Sequence, residues 1–297
     1  MRKIILLLLI ISASSSLSSQ QNYFTSDKKF NHHIIAEKAN KNKAYAKLLD
    51  ISEKYNLVFC IRKCKIGHRG RTQSIRRFQG QYRYNFLTNA DDPVLDKFIE
   101  SFVENFEIFS PKFIKKSGLR ALVFTKDITF AHIRVGGGFE MTDSMLFINI
   151  PKRFYSSEYT QYIIYHEFFH LLQNRFPYPH QFINYRKWQS LNAPGVRYYP
   201  GGALAMLKKY RSIPGYFFQK PKTKGFVTQY GRTDYFHDPT EIFCCLFIET
   251  KYKKLRKWMR SDRYLRRKVD YLLECLNRIS PVYSLKYFDE MYAAKSL

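Results

Sequence analysis

Acidic residues are scarce in this chain. Its 297 residues include 24 Asp and Glu against 50 Lys and Arg, a formal charge of +26. The shortage is also local, because residues 171–233 hold eleven Lys and Arg and no acid at all. A protein so unbalanced is drawn to polyanions, whether anionic glycans, cell-surface polymers, lipid headgroups or nucleic acid. Long apolar runs are missing too. The most apolar stretch, Ile4–Ile11, is too short to anchor stably across a bilayer, and nothing after it is long enough. No Cys-x-x-Cys pair occurs among the five cysteines, which removes support for a thiolate zinc ribbon. No internal repeat is visible. What is plentiful is core material: 45% of residues are hydrophobic, enough for one large domain or two small ones.

The N-terminus stands apart. Arg2 and Lys3 precede Ile4–Ile11, and a Ser-rich segment with Ala13 follows. This is the shape of a secretory signal peptide over residues 1–20, the alternative being an uncleaved anchor. Its removal takes away two charges and leaves +24, and it places the mature protein outside the cytoplasm, secreted or in the cell envelope. Cys60 and Cys64 are placed for a local disulfide. Cys275 can bridge to Cys244 or Cys245, or these three are small buried hydrophobes. Charge thickens over Arg62–Arg83, over residues 171–233 and over Lys251–Lys268. The last run holds ten basic residues in eighteen, with Leu255, Trp258, Met259 and Leu265 at helical spacing. That pattern favours a solvated helix face packed by an apolar stripe over a nucleic-acid groove.

Two parts follow the leader: a basic arm or subdomain over residues 21–85 and a larger domain over 86–297. Residues 21–45 are polar and read as a loose or partly helical arm. Asp92-Pro93 opens a helix carrying Val94, Leu95, Phe98, Ile99, Phe102, Val103 and Phe106. Ser110–Lys116 forms one more turn closed by Gly118. Leu119–Phe124 and Met145–Ile150 read as strands, separated by a loop at Gly136-Gly137-Gly138.

Chemistry concentrates in His166-Glu167-Phe168-Phe169-His170, inside the apolar run Tyr162–Leu172. Ser156 or Ser157 can cap this helix, Glu158 sits in its first turn, and Pro177 and Pro179 lie past its end. Residues four apart share a helix face, so both imidazoles can reach one metal ion. Glu167 then stands where it can take a proton from water. Two histidines do not complete a site, and the acid-free stretch excludes a ligand glutamate about twenty residues downstream. Gln173 and Phe176 exclude a Gly-and-His spacing, and Pro177 and Pro179 separate His180 from the helix. What remains is Gly225–Phe247, with Tyr230-Gly231-Arg232-Thr233 and then His237-Asp238-Pro239-Thr240-Glu241 opening an apolar helix. Asp238 and Glu241 alone would also make a good helix start, cap and reciprocal partner, with no metal involved.

These segments, with Trp188, Leu191-Asn192, Pro194-Gly195, Tyr198 and Ser110-Pro111 before Gly118, resemble the gluzincin-like secreted zinc metallopeptidases, the family that includes the catalytic domain of anthrax toxin lethal factor. The resemblance is discontinuous and runs over roughly residues 90–275. It implies an α+β zincin-like fold, with a small sheet whose edge strand lies over the active-site helix and a mostly helical C-terminal half. The edge strand would be Met145–Ile150, with Phe147 and Asn149 along the substrate. It implies one Zn2+ per chain held by His166 and His170, Glu167 as general base, and Tyr230 aimed at the oxyanion or leaving amine.

The family's Glu-x-x-x-Glu falls on His237 and Glu241, which leaves two readings. Either His237 is the third ligand and Glu241 orients a ligand histidine, or Glu241 coordinates and His237 is its neighbour. Three neutral ligands would leave a net +2 on the metal and acidify water more strongly. The activity implied is hydrolysis of a peptide or protein, with acidic substrates suggested by the positive charge. The alternative is a cell-surface binding protein of the same fold, inactive, with a structural metal and a charge that recruits it to anionic polymers. Nucleic-acid binding rests on charge alone and is not expected.

Overall fold

A computed structural model describes residues 28–62, 82–130, 132–140, 144–175, 182–210, 212–213 and 215–294. The leader, Cys64, most of the Arg62–Arg83 stretch and His180 lie outside the described residues. The fold is mixed α+β, with a small mixed sheet and a majority of helix. The chain divides into two compact units, one of residues 1–107 and 119–160, the other of residues 108–118 and 161–297.

In the first unit no boundary falls at residue 86. Residues 28–39 form helix α1 and Lys43–Tyr55 form α2. The expected loose or partly helical arm is helical over its described part, with Asn31 and Ile35 buried, and in α2 Tyr45, Leu48, Ile51 and Tyr55 recur at helix spacing and are buried. Asn42 caps α2 by accepting from Ala44 N at 2.9 Å, and Asn56 ends it at φ 51°. Helix α3 (Asp92–Asn105) starts at Asp92-Pro93 as expected and buries Leu95, Phe98, Ile99, Phe102 and Val103. It is tied to α1 and α2 by Lys38–Asp92 at 2.9 Å and by Tyr45 Oη donating to Asp96 at 2.6 Å.

Strand β1 (Val58–Cys60) pairs in parallel with β3 (Ala121–Phe130), which pairs in parallel with β6 (Met145–Asn149). Ala121–Phe124 is fully buried, and such a central parallel strand reads as an unbroken apolar run because both faces are covered. Each large side chain there contributes about 1.5–3 kcal/mol on burial. The outer half of β3 pairs antiparallel with β2 (Tyr82–Phe86) and with β4 (Ile133–Arg134).

Two sequence expectations are corrected here. Gly137–Glu140 is not loop but strand β5, antiparallel to β6 in the register Gly137↔Ile148 and Gly138↔Phe147. Strand β6 consequently lies between β3 and β5, and Met145–Ile150 is not an edge strand. Phe147 packs on Tyr84, with ring centroids 5.1 Å apart. Asn149 is buried, its Oδ1 accepting from Ile128 N at 3.3 Å. Both residues hold the sheet together. Glycine pairs had suggested a loop because they weaken strands.

The second unit is helical: α4 (Pro111–Ser117), the body of α5 (Ser157–Arg175), α6 (Tyr185–Ser190), α7 (Gly202–Tyr210), α8 (His237–Phe247), α9 (Glu249–Met259), α10 (Arg263–Ile279) and α11 (Leu285–Ala294). Ser110 caps α4 through Phe113 N at 3.2 Å, and Gly118 ends it at φ 76°. A Cβ at Gly118 would come within 2.6 Å of Arg175 Nε, the far end of a side chain that can move aside, so it is the backbone angle that demands glycine. The core is a stack of rings. Phe109 lies 5.0 Å from Phe168 and 5.1 Å from Phe247, and Phe169 lies 4.6 Å from Phe243. Thus two of the three residues between the motif histidines, Phe168 and Phe169, anchor α5 to α8 through Phe243.

In the basic run, Leu255, Met259 and Leu265 are buried and Trp258 is half-buried, with Lys220 Nζ over its ring at 5.0 Å. Cys60 is disulfide-bonded, whereas Cys244, Cys245 and Cys275 are buried and reduced, so the Cys275 bridge does not form. Among the described residues no helix is long and apolar enough to cross a membrane.

Candidate metal centre

Helix α5 carries the first two candidate ligands, His166 and His170. Ser156 caps it, accepting from Tyr159 N at 3.1 Å. One turn separates His166 from His170, and their rings lie 4.6 Å apart. The third imidazole, His237, opens α8. One nitrogen from each of His166, His170 and His237 lies within 4.8 Å of the others. The sequence-predicted triad is thus brought together in the second unit.

Each imidazole has a different partner on Nδ1. His166 Nδ1 lies 3.1 Å from Glu241 Oε1, His170 Nδ1 lies 2.8 Å from Gln173 Oε1, and His237 Nδ1 lies 2.8 Å from Asp234 Oδ2. A carboxylate can only accept, so Nδ1 of His166 and His237 carries the proton. Gln173 is oriented by its own Nε2, which donates to the Phe236 carbonyl at 2.9 Å, so its oxygen accepts from His170. All three rings are then Nδ1–H tautomers, and each Nε2 is an unprotonated acceptor, that of His237 facing the Tyr230 hydroxyl at 3.1 Å. His166 Nε2 and His170 Nε2 stand 3.0 Å apart. Two unprotonated nitrogens at that distance repel unless a cation lies between them. The donor set fits a divalent metal, with each ligand histidine held by an outer hydrogen bond.

Electrostatics agree with this reading. Burial, reinforced at His170 by the neighbouring histidines, holds His166 below the usual histidine range and His170 well below it. Both are therefore neutral and ready to bind a metal at neutral pH. Burial alone would raise the Glu241 carboxyl, but hydrogen bonds from His166 and Tyr162 and the charge of Lys251 hold it below the usual range.

Glu241 is saturated. It accepts from Tyr162 Oη at 2.7 Å and His166 Nδ1 on one oxygen, and from Thr228 Oγ1 at 2.9 Å on the other. The structure thereby places Glu241 behind His166 while His237 joins the triad. Nor is Glu241 the reciprocal partner of a cap at Asp238. Asp234 opens α8 instead, its Oδ1 accepting from Phe236 N at 2.9 Å and His237 N at 2.8 Å. Asp238 is fully buried, and its Oδ2 accepts from Trp188 Nε1 at 2.8 Å, Tyr198 Oη at 2.9 Å and Lys268 Nζ at 2.6 Å.

Glu167 follows His166 on α5 and is half-buried. Among the described residues nothing donates a hydrogen bond to its carboxyl, and burial pushes that group up to about 8. A carboxyl with a raised pKa, in the helical turn that carries two clustered histidines, has the chemistry of a proton carrier. Tyr230 Oη lies 3.1 Å from His237 Nε2, and its ring lies 5.7 Å from that of His166. Three residues that orient the ligands, Asp234, Gln173 and Thr228, were not anticipated. Only Asp234 left a local trace, as an acid three residues before the helix-opening histidine.

Comparison with protein-family models, curated proteins and solved structures gives no match.

Proposed function

We propose that the chain is a secreted zinc metallopeptidase of the zincin type, the class its motif resembles. The observation that carries the proposal is the convergence of one nitrogen from each of His166, His170 and His237 within 4.8 Å, with Glu167 between the two histidines of α5. His166, His170 and His237 would hold one Zn2+. That ion, when bound, supplies Lewis acidity: it polarises a carbonyl and lowers the pKa of water.

The remaining work falls to side chains. Glu241, Gln173 and Asp234 fix the ring orientations through Nδ1. The carboxylate of Glu167 takes a proton from water and passes it to the leaving amine nitrogen. A nearby cation draws its pKa down from the raised value, keeping it ionised and able to accept that proton. Tyr230 Oη donates a hydrogen bond to the oxygen on which negative charge develops. The disulfide at Cys60 suits an oxidising compartment and supports an extracytoplasmic location. The +26 charge supports attraction to acidic substrates or an anionic surface.

A second reading rests on His237, which stands where the resembled family has a carboxylate: a binding protein that keeps its metal and has no turnover. Glu167→Gln separates the two. The expected result with a peptide library is loss of hydrolysis by a factor of about 10² or more, with one zinc per chain retained by elemental analysis. Absence of hydrolysis in the zinc-loaded wild type would favour the binding protein, and absence of zinc would overturn both readings.

A further inference from the structure

A cation stands near the triad with no carboxylate in direct ion-pair contact. Lys251, in the first turn of α9, places its Nζ 4.5 Å from the Tyr162 ring centroid and 5.3 Å from that of Phe218. Among the described residues no carboxylate lies within ion-pair distance of it. Of the nearby acids, Glu249 pairs with Lys253 at 2.6 Å, and Glu241, which feels the Lys251 charge at longer range, is hydrogen-bonded by Tyr162, His166 and Thr228. The acid-free stretch of residues 171–233 supplies none either.

The two rings place this ammonium relative to the triad. Tyr162 lies one turn before His166 on α5, with ring centroids 5.4 Å apart. Phe218 meets Tyr162 edge-on at 5.1 Å and is 47% exposed, an unusual surface position for so large an apolar ring. Its segment is pinned to the turn that carries Tyr230: Tyr230 N donates to the Phe217 carbonyl at 3.1 Å, and Gln229 N donates to that of Gln219 at 2.8 Å. Near the triad the molecule therefore presents a ring open to solvent and, next to it, an ammonium held over rings rather than in an ion pair. Rings under an ammonium hold it in position but do not neutralise it. The complement of such a surface is a carboxylate carried on a short aliphatic stem.

We propose that Lys251, held by Tyr162 and Phe218, determines specificity by binding a carboxylate of the substrate. This rests on the peptidase reading above. The carboxylate can belong to an acidic side chain or to the end of a peptide chain, and the chemistry is the same.

The test uses the zinc-loaded full chain and quenched fluorescent peptides. These differ only by Glu, Gln or Lys at one position at a time, each made with a free and an amidated C-terminus. A charge-assisted contact predicts kcat/KM at least about tenfold higher for Glu than for Gln at one position, or for the free over the amidated terminus. The first outcome assigns the carboxylate to a side chain and the second to a chain end. Lys251→Met keeps the stem over the rings and should bring the ratio near one, Lys251→Arg should preserve it, and Lys251→Glu should favour the Lys peptide.

A ratio near one in the wild type overturns the proposal, as does a ratio that survives in Lys251→Met. So does a loss that falls equally on Glu and Gln peptides, because that would mean Lys251 only balances Glu241. If no peptide is cleaved, the peptidase reading fails separately. Fluorescence polarisation of the same peptides on zinc-loaded Glu167→Gln then decides: tighter binding of the carboxylate peptide supports the Lys251 site, and equal binding rejects it.

Discussion

Glu241→Gln and His237→Ala should have unequal effects on zinc binding, and the inequality follows from the hydrogen bonds around the triad. Glutamine matches the volume of Glu241 and keeps an oxygen for His166 Nδ1, while its amide can face the Thr228 hydroxyl. The variant therefore loses a charge-assisted hydrogen bond behind one ligand but no ligand. Removing such an outer partner typically costs 10–100-fold in affinity, and the conservative change belongs near about tenfold. Alanine at 237 removes a ligand outright. Zinc in a four-ligand protein site is worth about 10–16 kcal/mol, or about 3 kcal/mol per ligand, which corresponds to a loss of roughly 150-fold. Competition against a chromophoric chelator measures both. The expected outcome is one zinc per chain in Glu241→Gln with slightly weaker binding, and a far larger loss in His237→Ala. The reverse order would show that Glu241 coordinates and that the geometry has been misread.

Other expectations follow from the same structure. Glu167 titrates near 8 when folded and near 4.5 when unfolded, so its contribution to stability is present below about pH 4.5 and lost as pH rises through 8. Metal-free wild type should thus lose stability relative to Glu167→Gln over that window. The ceiling is about 5 kcal/mol, cut to about 2 by the solvent access of a half-buried group, and urea titrations at pH 5 and 8.5 would show it. Parallel curves for the two proteins would refute the raised pKa. Asp238→Asn leaves Lys268, which is 0% exposed, without its counter-ion and should cost about 3 kcal/mol in urea unfolding. A cost under about 1 kcal/mol would mean that the pair contributes little. Gly118→Ala puts a Cβ on backbone held at φ 76° and should lower stability by more than about 1 kcal/mol, read as a drop in Tm.

The parts of this fold legible in sequence are those specified by neighbours along the chain. Helix α3 announces itself through Asp92-Pro93 and its buried stripe, α4 through Ser110 and Gly118, and α5 through its cap and apolar run. His237 was legible as a candidate because it opens a helix after a turn and carries metal-ligand chemistry. The misreadings have a common cause. Gly137 and Gly138 have no side chain to signal a strand, and their place in the sheet depends on β6, several residues later. The helix in the Lys-rich arm was only half legible because its charges outnumber Ile35 and Tyr45, the apolar residues it buries. Phe147 and Asn149 were placed on an edge that β5 occupies. Gln173 and Asp234 sit three residues from the histidines they hold, a spacing too common to single them out, whereas Thr228 matters through Glu241, which folding brings close. The same holds for Asp238, whose donors come from residues 188, 198 and 268.

The three imidazoles do not lean on equal supports. Glu241 and Asp234 bring negative charge to His166 and His237 and push those rings toward imidazolate, whereas Gln173 offers His170 only a neutral amide. An ion held by the three would sit in a lopsided electron field, richer on two sides than on the third. Its weakest bond would be the one to His170, which makes that imidazole the natural leaving ligand when an incoming group crowds the coordination sphere. The asymmetry is written in a single residue three places after the motif, an amide where an acid would also have fitted the spacing.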